Sequence, residues 1–356
     1  MIPSTHVTRR SALTSSLGLG EKLFASSDER RFAEAIGEGL ARVEAGLLEA
    51  MAFADDLADV TSRYLLEAGG KRVRPVLTLL TAQLGDGNND DVIAAAQSIE
   101  ITHVASLYHD DVMDEADMRR GVPTAQNVWG NSVAILTGDL LFARASRIGA
   151  SLGDRALHLQ AETFERLCLG QLHETIGPRA DEDPIEHYIQ VLSDKTGSLI
   201  SAAAQVGVIF SNAPDEYRVA VAAFGERIGV AFQLIDDVID LAGAGDDTGK
   251  TPGTDLRAGV ATLPLLYLRK DAQTDPEAAA LLRRIELDTT SFAAEIDESD
   301  LTAAIAELRA HPVTARTLEE AHRWAQSAVD ALAPLPDGPV KKALTKFAET
   351  IVERSR

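Results

Sequence analysis

Two short acidic runs, Asp110-Asp111-Val112-Met113-Asp114 and Asp236-Asp237-Val238-Ile239-Asp240, repeat one spacing of carboxylates in a chain of 356 residues. On a helix, positions three and four apart share a face, so each run presents its acids together. Each run lies near the C-terminal end of a long apolar helical pattern, where the helix dipole is negative and acids sit against the local field. Like charges on a solvated helix end repel by only about a few tenths of a kcal/mol per pair, so a solvated face accounts for one such cluster. It gives no reason for a matched second one. A divalent cation supplies the missing compensation. Few carboxylates per ion, with waters and phosphate oxygens filling the remaining positions, suit Mg²⁺. A diphosphate held through Mg²⁺ between two such helices is the chemistry these residues point to.

The basic residues then acquire a purpose. The chain carries a formal net charge of −21, which opposes nucleic acid and anionic lipid as partners. Against that background Lys71, Arg72 and Arg74 follow a Gly-Gly turn in GGKRVRP, Arg119 and Arg120 follow the first acid run, and Lys195 and Lys250 fall at element boundaries. These are candidate anion sites, Arg through forked contacts with phosphate oxygens and Lys as a point charge. His103 lies seven residues before Asp110, two turns below it on the same helical stripe. Gln233 lies four residues before Asp237, which aims its amide toward the second run.

Length alone gives about two domains at roughly 150 residues each. With 45% hydrophobic and only 5% aromatic residues, rich in Ala and Leu, the composition favours helices with a large core. Apolar spacing predicts helices near 28–51, 56–67, 73–84, 91–115, 130–151, 156–176, 184–195, 198–211, 215–242, 262–270 and 275–285, with three more after 300. The 91–115 segment is apolar on more than one face and should be central. No period-2 strand pattern and no tandem repeat stands out, and Gly121-Val122-Pro123 reads as a helix stop. The Gly- and Asp-rich segment 243–259 is a long loop of the kind that is usually functional or disordered. Residues 1–28 read as a flexible extension whose composition also occurs in targeting peptides, although Glu21 and Lys22 interrupt any apolar run. No stretch of about 18 apolar residues offers a membrane span. The one cysteine, Cys168, cannot form an internal disulfide; it reads as a core residue and fits a reducing, cytoplasmic compartment.

The ordered set GGKRVRP, HDDVMDEADMRRG, DKTGSL, FQLIDDVID, GK and GTDL resembles the trans-isoprenyl diphosphate synthases, or polyprenyl synthetase family, over residues 40–350. The resemblance implies a single all-α domain over 29–356, a helical bundle around a deep central cavity (the isoprenoid synthase fold), a homodimer, and Mg²⁺ at about three ions with bound diphosphate. It implies that Lys71, Arg74, His103 and Arg120 form the isopentenyl diphosphate site. Asp110, Asp111 and Asp114, facing Asp236, Asp237 and Asp240, become the metal ligands for the allylic diphosphate, with Arg119, Lys195, Thr196, Gln233 and Lys250 as its direct partners. Val260 stands where many members carry a diphosphate-binding Lys, which many longer-chain members also lack, and marks a weaker clamp. The implied reaction ionises the allylic C–O bond as charge on the departing diphosphate is stabilised. The double bond of isopentenyl diphosphate then attacks and a proton is lost, with no protein nucleophile.

Product length is read from the same helix. Ala105 and Ser106 lie about one turn below Asp110, and small side chains there leave a tunnel open where bulky ones close it. The expected product is therefore about C30–C50, of the kind used in quinone side chains. Ile101, Thr102, Leu136 and Leu140 are candidates for its floor. The alternatives are a farnesyl or geranylgeranyl synthase with a floor supplied by Tyr108 or by another helix, a non-catalytic subunit that tunes a partner synthase, and a terpene cyclase. The intact second aspartate run disfavours the last two.

Overall fold

The computed structural model describes residues 27–242, 252–290 and 298–353. Most of the expected extension and Lys250 lie outside the described residues. Among the described residues the chain is helical with one two-stranded hairpin, so the all-α expectation holds. No helix is long and apolar enough to cross a membrane. The chain divides into two compact units.

The first unit takes the chain up to Glu165, together with Leu199–Gly225 and Ala331–Phe347. It opens with α1 (Ser27–Ala50), α2 (Asp56–Glu67), α3 (Val73–Ala82) and α4 (Asp90–Met113). A hairpin and the short α5 (Ala125–Trp129) lead into α6 (Asn131–Leu152). Helix α4 packs along α6 and against α1 and α3, which explains why it is apolar on several faces. Its start obeys the capping rules. The Asn89 side chain accepts the Val92 N–H, and Asp90 and Asp91 sit in the first turn, where the dipole favours them. Its end breaks them, because Asp110 and Asp111 occupy the last turn.

The strands β1 (Met118–Arg119) and β2 (Val122–Pro123) pair antiparallel. Arg120 and Gly121, between them, have φ of 53° and 79°, the paired positive values of a type I′ turn. Sequence pattern had given only a helix stop here. Arg at the first turn position, where Asn or Asp is usual, hides the hairpin signal. Thr124 Oγ1 donates to Ala116 O, and the Gln126 amide donates to Asp111 O and Ala116 O, tying the hairpin to the end of α4.

Beyond α6 come α7 (Asp154–Ile176), α8 (Pro184–Leu192), α9 (Ser198–Phe210) and α10 (Glu216–Ala242). On α9, two buried threonines of α3 find acceptors: Thr78 Oγ1 donates to Ala203 O at 2.7 Å and Thr81 Oγ1 to Ala204 O at 2.9 Å. The helices come this close because Gly207 has no side chain; a Cβ there would lie 2.1 Å from Thr81 Oγ1 and 2.3 Å from Thr78 O.

The second unit comprises Arg166–Ser198, Glu226–Asp330 and the residues after Phe347. Asp183 caps α8 by accepting the N–H groups of Ile185 and Glu186, with Pro184 at the first turn. The helix expected over 184–195 ends at Leu192 and gives way to a π-helical turn, Ser193–Gly197. The remaining helices are α11 (Thr254–Arg257), α12 (Leu263–Asp271), α13 (Pro276–Thr290), α14 (Glu298–Ala310), α15 (Pro312–Ala331) and α16 (Pro339–Glu353). Val230, Leu234, Leu263, Leu268, Leu281 and Ile305 lie in its core. Cys168 is not a core residue: on α7 it is exposed while its neighbour Leu167 turns inward at 8% exposure.

Gly207→Ala should destabilise the protein by about 1–3 kcal/mol, because the added methyl meets backbone as well as a hydroxyl. Denaturant unfolding checks this, with a lowered midpoint and an unchanged m-value expected.

Candidate functional site

The first acid run and the arginines lie in the first unit. Asp111 is fully buried, and Arg119 Nε donates to its Oδ1 at 2.6 Å, with a second guanidinium nitrogen also at 2.6 Å. Its other oxygen, Oδ2, is buried with no hydrogen-bond partner. Burial pushes the Asp111 carboxyl up and the Arg119 charge opposes it. Asp114, the residue that closes α4, is exposed.

Arg120, held at the hairpin turn, donates to Leu65 O at 2.6 Å and to Gly69 O. Gly70 has φ of 142°, and a Cβ on it would come within 2.3 Å of Arg72 Nη1 and 3.1 Å of Arg120 Cζ. The Gly-Gly turn is thus what lets two guanidiniums crowd together. Arg72 adopts left-handed backbone (φ 48°) and is buried, donating to Glu44 at 2.5 Å, to Glu100 at 3.4 Å, and to Leu66 O and Gly69 O. Arg74 is pushed down to about 10 by burial, against the attraction of Glu100, and its Nε is buried without a partner. His103 is held well below its ordinary range by burial and by Arg74, Arg120 and Arg72, which makes it a neutral imidazole facing several cations. The structure therefore brings Arg74, His103 and Arg120 together. Lys71 is exposed beside them in sequence.

Sequence reading missed Glu100, and it took Arg72 as a candidate anion site where the structure has that guanidinium paired with Glu44 and Glu100. Glu100 is 2% exposed, its acid is raised by burial, and it faces Arg72, Arg74 and Arg120. The signal was available: a lone acid three residues before His103 inside an apolar helix requires a buried counter-charge.

The second acid run lies near the end of α10 in the second unit. Asp237 is 6% exposed, and its carboxylate accepts the Tyr188 hydroxyl at 3.0 and 2.9 Å and the Leu263 N–H at 3.3 Å. These donors are neutral. Burial pushes the Asp237 acid up to about 8, with Asp255 and Asp236 adding repulsion. Asp240 accepts the N–H groups of Thr254 and Asp255, each at 3.2 Å, and so caps α11 at the GTDL motif. Asp236 and Gln233 are half-buried on the same helix. Lys195 and Thr196 occupy the π turn, where Lys195 Nζ pairs with Glu174. The turn is clamped by Arg166, which binds Asp194 at 2.8 Å and Glu226 at 2.9 Å, while Ser193 donates to Glu226.

Among the described residues no three acidic, His or Cys side chains form a cage for a metal by themselves. Two observations fit a cation. Asp111 has a buried oxygen without a hydrogen-bond partner, and among the described residues the Asp237 carboxyl is met by the neutral Tyr188 and Leu263 donors and flanked by Asp255 and Asp236.

The Polyprenyl synthetase family model matches residues 55–299. A nonaprenyl diphosphate synthase of Mycobacterium tuberculosis is 42% identical over 91% of this chain and 94% of its own length. Among solved structures, a geranylgeranyl pyrophosphate synthase of Corynebacterium glutamicum complexed with calcium and isoprenyl diphosphate is 38% identical. It covers 93% of this chain and 99% of its own, with a TM-score of 0.78. A decaprenyl diphosphate synthase of Rhodobacter capsulatus is 33% identical over 92% of this chain and 99% of its own, with a TM-score of 0.79. This chain is thus matched along nearly the whole length of these synthases, in sequence and in fold, and it belongs to the polyprenyl synthetase family of prenyltransferases.

Proposed function

We propose that the chain joins isopentenyl diphosphate head-to-tail to an allylic diphosphate and releases a trans-polyprenyl diphosphate of about C30–C50. The observation that carries this reading is the pair of aspartate runs, each with a buried carboxylate whose charge the protein leaves short of donors or cations. Asp110, Asp111, Asp114, Asp236, Asp237 and Asp240 would hold Mg²⁺, about three ions with bound diphosphate, and the metal supplies charge neutralisation on the leaving group.

The protein's own groups do the rest. Arg119, Lys195, Thr196 and Gln233, with Lys250 from outside the described residues, bind the allylic diphosphate and stabilise it as the C–O bond breaks. Lys71, Arg74, His103 and Arg120 bind isopentenyl diphosphate. Arg74 Nε is buried without a hydrogen-bond partner, and Arg74, Arg72 and Arg120 crowd together around Glu100, so an added anion is favoured there. The double bond attacks the allylic carbon, and the proton lost from the new chain passes to the released diphosphate. Val260, 40% exposed, leaves one clamp position without a charge.

For product length, Ser106 lies about 40° around α4 from Asp110 and continues its stripe, whereas Ala105 lies about 140° around. Ala105 is fully buried, with its carbonyl 3.2 Å from where a Gly138 Cβ would stand on α6. Tyr108, the floor a short-chain enzyme would use, is pinned on the opposite side of α4. Its hydroxyl donates to Thr61 O and accepts the Leu65 N–H at 3.3 Å, both on α2. Leu136 and Leu140 are 60% and 40% exposed, and Ile135 and Phe164 add further exposed apolar surface to the first unit. We read that surface as the contact with a second copy in a homodimer rather than as a tunnel floor. Cys168 is an exposed, unpaired thiol, which accords with a cytoplasmic setting.

Purified protein given Mg²⁺, labelled isopentenyl diphosphate and farnesyl diphosphate should yield a ladder ending at about C30–C50, and Ser106→Phe should end it near C20. A stop at C20 in the unsubstituted enzyme contradicts the open tunnel. Leu136→Glu should shift the sedimentation coefficient from dimer to monomer. The Asp237 acid titrates near 8 when folded and near 4 when unfolded, so the folded state binds its proton more tightly. Stability of the metal-free protein should therefore fall as pH rises from about 4 to about 8 and level off above it. Asp237→Asn should flatten that profile in thermal unfolding while lowering turnover by about 10–100-fold.

A further inference from the structure

Within the second unit one contact joins the two halves of the proposed allylic site without involving any residue of its motifs on one side. Tyr188 lies on α8, seven residues before Lys195, and α8 runs directly into the π turn that carries Lys195 and Thr196. Its ring packs against the core that contains Leu234 and Leu263, and its hydroxyl reaches both oxygens of Asp237 at 3.0 and 2.9 Å. Leu263 N–H, from the first residue of α12, completes the set at 3.3 Å. Asp237 therefore has its orientation fixed by two elements other than its own helix.

We infer that Tyr188 is a positioning residue for the reaction: its hydroxyl fixes the Asp237 carboxylate and so registers the Lys-Thr turn against the acidic face of α10 that carries Asp236 and Asp240. The inference rests on the reading of that face as the Mg²⁺-diphosphate site. The physical basis is the cost of an alternative. A buried carboxylate with neutral donors is stable in one rotamer only while those donors remain, and loss of the phenol leaves one backbone N–H to hold it. The phenol ring itself supplies packing, so removing only its oxygen separates positioning from core stability.

The test uses the full chain and inorganic diphosphate with Mg²⁺ as the probe, measured by titration calorimetry. Tyr188→Phe should weaken Mg²⁺-dependent diphosphate binding by about tenfold and raise the KM for the allylic diphosphate by a similar factor. The KM for isopentenyl diphosphate and the thermal midpoint should stay close to the parent values. In an Asp237→Asn background the same Tyr188→Phe change should have no further effect on binding, because the hydroxyl acts through that carboxylate. Equal binding by Tyr188→Phe and parent, or an equal loss with and without Asp237, overturns the inference while leaving the site reading intact. No Mg²⁺-dependent binding by the unsubstituted protein overturns both.

Discussion

Carboxylates placed at the negative end of a helix and then buried are the constraint on which the rest of this structure turns. Helix α4 shows both sides of the rule within one element. Asp90 and Asp91 sit at its start, where the dipole welcomes them, and Asp110 and Asp111 at its end, where it does not. Asp237 and Asp240 repeat the second arrangement on α10. A protein tolerates such placement when something outside the fold completes the charge balance. In the proposed function a diphosphate with its Mg²⁺ ions would do so, and the metal would supply charge neutralisation on the leaving group.

The surrounding elements can be understood as supports for those carboxylates. The hairpin after α4 returns Arg119 to Asp111 and sends Arg120 to the carbonyls of the Gly-Gly turn. In the second unit, the start of α12 and the phenol on α8 hold Asp237, while Asp240 caps α11. Each support also orders a segment that carries a residue of the proposed site, so the same hydrogen bonds serve local structure and the placement of the carboxylates.

Much of this was legible in sequence. The long amphipathic and apolar helices and the position of both acid runs at helix ends follow from periodicity and residue type, whereas the grouping of Arg74, His103 and Arg120 came only from the family resemblance. The hairpin was not legible, because its type I′ turn places Arg120 at positive φ where pattern rules look for Asn or Asp. The π turn was also hidden. Ser193–Gly197 has no hydrophobic residue whose spacing could report its winding, and its clamp reaches it from Arg166 and Glu226, far away in sequence. Cys168 went wrong for a related reason: an apolar-looking segment on α7 has two faces, and composition does not say which one turns inward. Tyr188 carries no local sign of its role, since its partner lies 49 residues away.

In the proposed function both aspartate runs bind the Mg²⁺ of the diphosphate substrate, and a crystal structure with Mg²⁺ and an unreactive allylic diphosphate analogue tests this. The expected result is metal ions ligated by aspartates of both runs, with Lys195 and Arg119 on diphosphate oxygens. A diphosphate bound through one run alone, with the other run ligating no metal, would contradict it.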